Sequence, residues 1–106
     1  MSEPTEEQIK ELWEWCGWMI PTSPYYHRPD GRQVKSIPSV DLHNLFQWAV
    51  PKLGEDLEIE LFIPSVNWFC QIKKRTTIIA TSNGYHKDPA LALFWAIYKV
   101  IKEVEK

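Results

Sequence analysis

The run Tyr25-Tyr26-His27-Arg28-Pro29-Asp30-Gly31-Arg32-Gln33-Val34-Lys35 carries the densest set of chemistry-capable side chains in the sequence. Tyr25, Tyr26 and His27 offer ring faces with polar tips, and Arg28, Arg32 and Lys35 add positive charge. Aromatic rings stack on a base while an arginine forks onto a phosphate, so the pattern points to a nucleotide. Trp18 lies just upstream and extends the set. The same composition also describes a solvated loop whose tyrosines pin it to a domain. Against a dedicated nucleic-acid binder stands the charge balance of 12 basic and 14 acidic side chains, net −2, because such binding rests on neutralising phosphates. A second basic cluster, Lys73-Lys74-Arg75, reads as a hairpin tip that protects a sheet edge.

Other chemistries find less support. His27, His43, His86, Cys16 and Cys70 are scattered, and none forms a Cys-x-x-Cys or a His pair at i, i+4, so no metal is expected. Cys16 lies on an apolar helical stripe and Cys70 on an apolar strand face, where a thiol packs as a small hydrophobe. No Gly-rich phosphate loop, nucleophile elbow or paired-carboxylate signature is present. The sequence therefore predicts a protein without enzymatic activity or cofactor. Its six tryptophans divide into two groups. Trp13 and Trp68 fall on core stripes. Trp15, Trp18, Trp48 and Trp95 fall off them, where aromatic residues mark partner surfaces.

The elements that must position these residues follow from periodicity and caps. Thr5 with Gln8 makes a capping box for a helix over about 6–18, with Ile9, Leu12, Trp13 and Cys16 on one face and an exit at Gly17. A Pro-rich loop over 21–38 follows, longer than compact domains use without a function. Asp41, or Ser39, caps a second helix with Leu42, Leu45, Phe46 and Ala49 inward, ended by Pro51 and Gly54. Three alternating runs, beginning near Leu57, Trp68 and Thr76 and joined by short connections, predict an antiparallel meander with Ile78 on the core face. Asp88 as N-cap and Pro89 at N1 open a last helix with Ala90, Phe94, Ile97, Ile101 and Val104 buried. The expected fold is α+β, in the order α-loop-α-β-β-β-α, as one domain over residues 1–106 with its sandwich core at 39–104. Phe62, Phe69 and Ile79 on the second sheet face need a cover, which helix 1 or a second protomer supplies; covering by helix 1 makes an α/β/α sandwich. Neither a membrane span nor an N-terminal signal segment is expected, and the free thiols suit the cytoplasm.

The capped helix Ser39-Val40-Asp41-Leu42-His43-Asn44-Leu45-Phe46, the meander, and Asp88-Pro89-Ala90-Leu91-Ala92-Leu93-Phe94-Trp95-Ala96 together resemble the phage ABA-sandwich domains over residues 39–101. The resemblance implies a small phage-associated protein working in the host cytoplasm, and it transfers no catalytic residues. The α-β-β-β-α order is also similar to a double-stranded-RNA-binding domain, but the last helix opens Lys87-Asp88-Pro89 where that domain presents basic residues. Three functions stay open. The first is an accessory protein that binds a protein partner or itself through Trp18, Trp95 and the 21–38 loop. The second is a nucleotide or small-ligand binder that sequesters a host defence signal with Tyr25, Tyr26, His27, Arg28 and Arg32. The third is a weak RNA or DNA binder.

Overall fold

The computed structural model of the chain describes residues 3–19, 26–35, 37–54, 57–63, 66–82 and 84–104. Helix α1 (Glu6–Trp15) starts on the expected capping box: Thr5 Oγ1 accepts the Gln8 N–H (3.1 Å) and Gln8 Oε1 accepts the Thr5 N–H (2.9 Å). Strands β1 (Tyr26–His27) and β2 (Gln33–Val34) form a small hairpin inside the segment expected to be irregular. One helical segment then runs through α2 (Leu42–Asn44), a π-helical turn (Leu45–Ala49) and α3 (Val50–Leu53). Strands β3 (Leu57–Phe62), β4 (Phe69–Lys74) and β5 (Thr77–Thr81) make an antiparallel sheet in that order, and α4 (Pro89–Val104) closes the chain.

The α+β fold is the one read from the sequence, and apart from the β1–β2 hairpin so is the element order. The inner face of the sheet carries Ile59 opposite Ile72, Leu61 opposite Cys70, and Ile72 opposite Ala80. Helix α4 lies against strands β4 and β5. The Asp88 cap holds it, with Oδ1 accepting the Ala90 N–H at 2.8 Å. Beyond the expected stripe, Ala92, Leu93 and Ala96 are also buried, because α4 is the central element: α1 and the α2–α3 segment pack on it as well as the sheet.

Details depart from the sequence reading: Phe46, expected inward with Leu45 and Ala49, is 46% exposed, and three further departures have a local reason. Helix α1 ends at Trp15 rather than Trp18, because Gly17 turns the chain at φ +104°. Pro51 does not end the second helix. It sits inside α3, just after the π-helical turn, in which the Val50 N–H donates to the Leu45 carbonyl five residues back. In an α-helical register Pro51 would clash with the Gln47 carbonyl and leave it without a donor; the wider turn admits the ring, and the helix stops at Gly54, φ +114°. In β5 a bulge intervenes: Ile72 faces Ala80, yet the next residue, Lys73, faces Ile78. Ile79 is thus the extra residue, and Ile78 turns to the outer face, 51% exposed.

The layering also differs from a closed sandwich. Glu11 on α1 accepts from Tyr98 Oη (2.8 Å) and from Lys102 Nζ (2.6 Å), which ties α1 to α4. Leu12 and Trp13 enter the common core from that side. Helix 1 therefore has its partner in α4, and the outer sheet face keeps Phe62 and Ile79 exposed.

The bulge makes a direct prediction. Ile72→Ala should cost about 2–5 kcal/mol, as for a buried aliphatic deletion. Ile78→Ala should stay within about 0.5 kcal/mol. Urea denaturation measures both, and equal losses would return Ile78 to the core.

Candidate functional site

The site begins at the end of α1. The Gly17 N–H donates to the Glu14 carbonyl (3.0 Å) and the Trp18 N–H to the Trp13 carbonyl (3.0 Å). This is a Schellman cap, and its usual apolar contact between the residue after the turn and the last helical turn is present. Trp18 folds back on Trp13 with ring centroids 6.5 Å apart. Trp18 is only 5% exposed, and on its other side it meets Trp48 edge-on at 5.6 Å. A side chain at Gly17 would meet the Pro29 ring at 3.4 Å, an ordinary contact, so it is the left-handed turn that requires glycine here.

The hairpin docks here by backbone pairing. Met19 and His27 exchange both N–H···O bonds (2.9 and 3.1 Å), which places the strand beside the α1 exit. Its turn, residues 28–32, is closed by the Arg28 N–H to the Arg32 carbonyl (2.8 Å) and the Gly31 N–H to the Arg28 carbonyl (2.9 Å). Asp30 Oδ1 accepts the Arg32 N–H at 3.1 Å, an Asx-type contact that suits the Pro-Asp-Gly sequence. Arg28 leaves this turn toward the helical segment. Its guanidinium lies 5.0 Å from the Trp48 ring centroid, and Nη2 pairs with Asp30 Oδ2 at 2.9 Å.

The opposite wall is the start of the second helical segment. Asp41 caps it, with Oδ1 accepting the Asn44 N–H (2.8 Å), while Asn44 Nδ2 donates to the Ser39 carbonyl (3.0 Å). The π-helical turn then brings Gln47 and Trp48 to the same side. Such turns recur at functional sites because they displace side chains from helical register. Between the walls lies an open cleft of about 420 Å³ bordered by Trp18, Arg28, Val34, Ile37, Pro38, Ser39, Asn44, Gln47 and Trp48. Among the described residues, Trp18 Nε1, the adjoining Trp13 Nε1 and Arg28 Nε are buried without an acceptor.

The sequence-selected residues do not all meet. Trp18 and Arg28 share the cleft. Tyr26 lines a neighbouring groove of about 340 Å³ with Glu6, Ile9, Lys10 and Ile37. His27 is half-buried within β1, and Arg32 is exposed at the turn. Tyr25 lies outside the described residues. Trp95 belongs to a separate aromatic cluster on α4, 5.2 Å from Phe94 and 5.8 Å from Tyr98. The sequence reading missed Ser39, Asn44 and Gln47 as site residues. One signal for the last was available: Pro51, four residues on, forbids a regular helix there.

A second candidate surface is the open sheet face. Phe62, Phe69 and Tyr85 form a ladder, with centroids 5.3 and 5.4 Å apart. Tyr85 is 61% exposed, and Ile63 and Val66 are exposed too. Beside the ladder, Glu60 Oε1 accepts from Gln71 Nε2 (2.6 Å) and pairs with Lys73 (3.1 Å). These hydrogen bonds, that from Gln71 first, hold the Glu60 carboxyl below its ordinary range.

Both cysteines are buried, and desolvation pushes each thiol up to about 12. A thiol held protonated is a poor nucleophile. Because the unfolded chain ionises near 9, both groups favour the folded state below that pH and lose the contribution as pH climbs toward 12. Among the described residues, no group of three His, Cys, Asp or Glu side chains is placed to hold a metal, and no helix is long and apolar enough to cross a membrane. No family model, curated protein or solved structure matches the chain.

Proposed function

We propose that the chain is a non-enzymatic binding protein that holds a small ligand in the cleft between Trp18, Arg28 and Trp48. One observation carries this reading: two residues that border the cleft, Trp18 and Arg28, hold buried N–H donors, Nε1 and Nε, without an acceptor. Each buried donor left unpaired costs about 1–3 kcal/mol, so an acceptor-bearing ligand gains by supplying partners. The neighbouring Gln47 amide and Ser39 add polar recognition on the opposite wall.

A nucleotide fits this chemistry, though not by a base clamped between two rings. Arg28 already covers Trp48, and Trp18 meets it edge-on. Hydrogen bonding and charge therefore outweigh stacking. The resemblance of residues 39–101 to the phage ABA-sandwich domains implies a phage-type accessory protein, which in the host cytoplasm would sequester a small signal. Stability reads out such binding by mass action. A mono-, di- or cyclic nucleotide present at one hundred times its dissociation constant adds about 2.7 kcal/mol. For a domain of this size that raises Tm by about 10 °C or more. The expected result is such a shift in a thermal scan and its loss in Trp48→Ala. No shift with any nucleotide, or a shift that survives in Trp48→Ala, counts against the cleft.

The exposed Phe62–Phe69–Tyr85 ladder favours a second reading, in which a protein partner or a second copy covers the outer sheet face. A patch of this kind on a free surface is uncommon without a function. Light scattering after size exclusion should then show a dimer that Phe62→Glu dissociates. A strict monomer at high concentration removes self-association.

A further inference from the structure

Among the described residues, Arg28 is the one ionisable side chain on the border of the cleft, and Asp30, 2.9 Å away, is its counter-charge. The guanidinium is held in place: three quarters of the side chain is buried, and it rests on the Trp48 ring. Its electrostatic satisfaction is nevertheless incomplete. Asp30 divides its carboxylate, giving Oδ2 to Arg28 Nη2 and Oδ1 to the Arg32 N–H. The pair is therefore single-pronged, and Arg28 Nε has no acceptor. A guanidinium prefers two parallel bonds to one anion, a geometry that phosphate and carboxylate both match.

We infer that the group this cleft selects is a compact oxyanion, and that Asp30 is the built-in counter-ion with which it competes for Arg28. The inference rests on the cleft being the ligand site and names the chemistry recognised there. An incoming oxyanion offers the second prong that Asp30 withholds. Trp48 keeps the guanidinium aimed while the exchange takes place, at little cost in side-chain entropy. The Asx contact to the Arg32 N–H keeps Asp30 in the turn whether or not it holds Arg28.

Calorimetric titration with inorganic phosphate and, separately, with acetate tests this. Asp30→Asn keeps the acceptor for the Arg32 N–H and removes the competing charge. It should tighten oxyanion binding about tenfold, the weight of one charge-assisted hydrogen bond. Arg28→Gln should weaken it about tenfold or more, and Arg28→Lys should fall between, keeping charge without the fork. Arg32→Ala, exposed at the turn, should change it less than about twofold, as a screened surface charge does. Whichever of the two probes binds more tightly identifies the ligand's acid group. The inference is overturned if neither probe binds at millimolar concentration, if Asp30→Asn leaves affinity unchanged or lower, or if Arg32→Ala costs as much as Arg28→Gln. Uncharged nucleosides separate the two levels. Nucleosides that bind and depend on Trp48, with no effect of Asp30→Asn, keep the cleft and remove the oxyanion. If nothing depends on Trp48, both fall.

Discussion

The placement of Trp18 governs this structure on its functional side. A glycine at position 17 lets the chain leave α1 in a left-handed turn, and the two backbone bonds of that turn drop the indole onto Trp13. From there Trp18 reaches Trp48, and Trp48 supports Arg28. Three elements that are distant in sequence, the α1 exit, the β1–β2 hairpin and the π-helical turn, thus meet along one chain of rings. The contacts are individually worth about 0.5–2 kcal/mol. Collectively they fix a hairpin of only two residues per strand, which is too short to be stable alone. The indole and guanidinium N–H groups left without acceptors are the cost of that construction.

The two candidate surfaces differ in how they came to be open. The outer sheet face is open because α1 is committed to α4 through Glu11, Tyr98 and Lys102. Its polar part is already satisfied internally by the Glu60–Gln71–Lys73 set, so what it offers a partner is mostly apolar area. The cleft is open for the opposite reason. Its walls are held rigidly by backbone pairing and ring contacts, and its polar groups are left incompletely paired. Apolar area is non-directional and accepts many partners. Unpaired donors on fixed walls discriminate among ligands. That difference is why the cleft carries the functional reading.

Much of this was legible in the sequence, and the limits are physical. Local signals read correctly: the Thr5–Gln8 box, the Asp41 and Asp88 caps, the meander and the α4 stripe all depend on neighbouring residues. Residue type and proximity select Arg28 and Trp18, and both border the same cleft. The failures lie where tertiary register decides. Tyr26 and Arg28 are two apart, yet Tyr26 borders the groove beside α1 and Arg28 the cleft. The β5 bulge turned Ile78 outward, which alternation alone does not reveal. Pro51 was read as a helix end, when the chain instead widened one turn to admit it and so carried Gln47 and Trp48 to the cleft. The sequence leaves the cover of the outer face open between helix 1 and a second protomer, because no sequence pattern marks Glu11 as the partner of Tyr98, 87 residues away.

The central claim is that ligand recognition happens at the Trp18–Arg28–Trp48 cleft. Nitrogen-15 chemical-shift mapping of the labelled chain, titrated with a nucleoside monophosphate, addresses it most directly. The predicted result is a set of shifts at the Trp18 and Trp48 indole N–H groups, the Arg28 Nε–H and the Gln47 side-chain amide, with Phe62, Phe69 and Tyr85 unmoved. Shifts confined to the Phe62–Phe69–Tyr85 face, or none at the cleft, would contradict it.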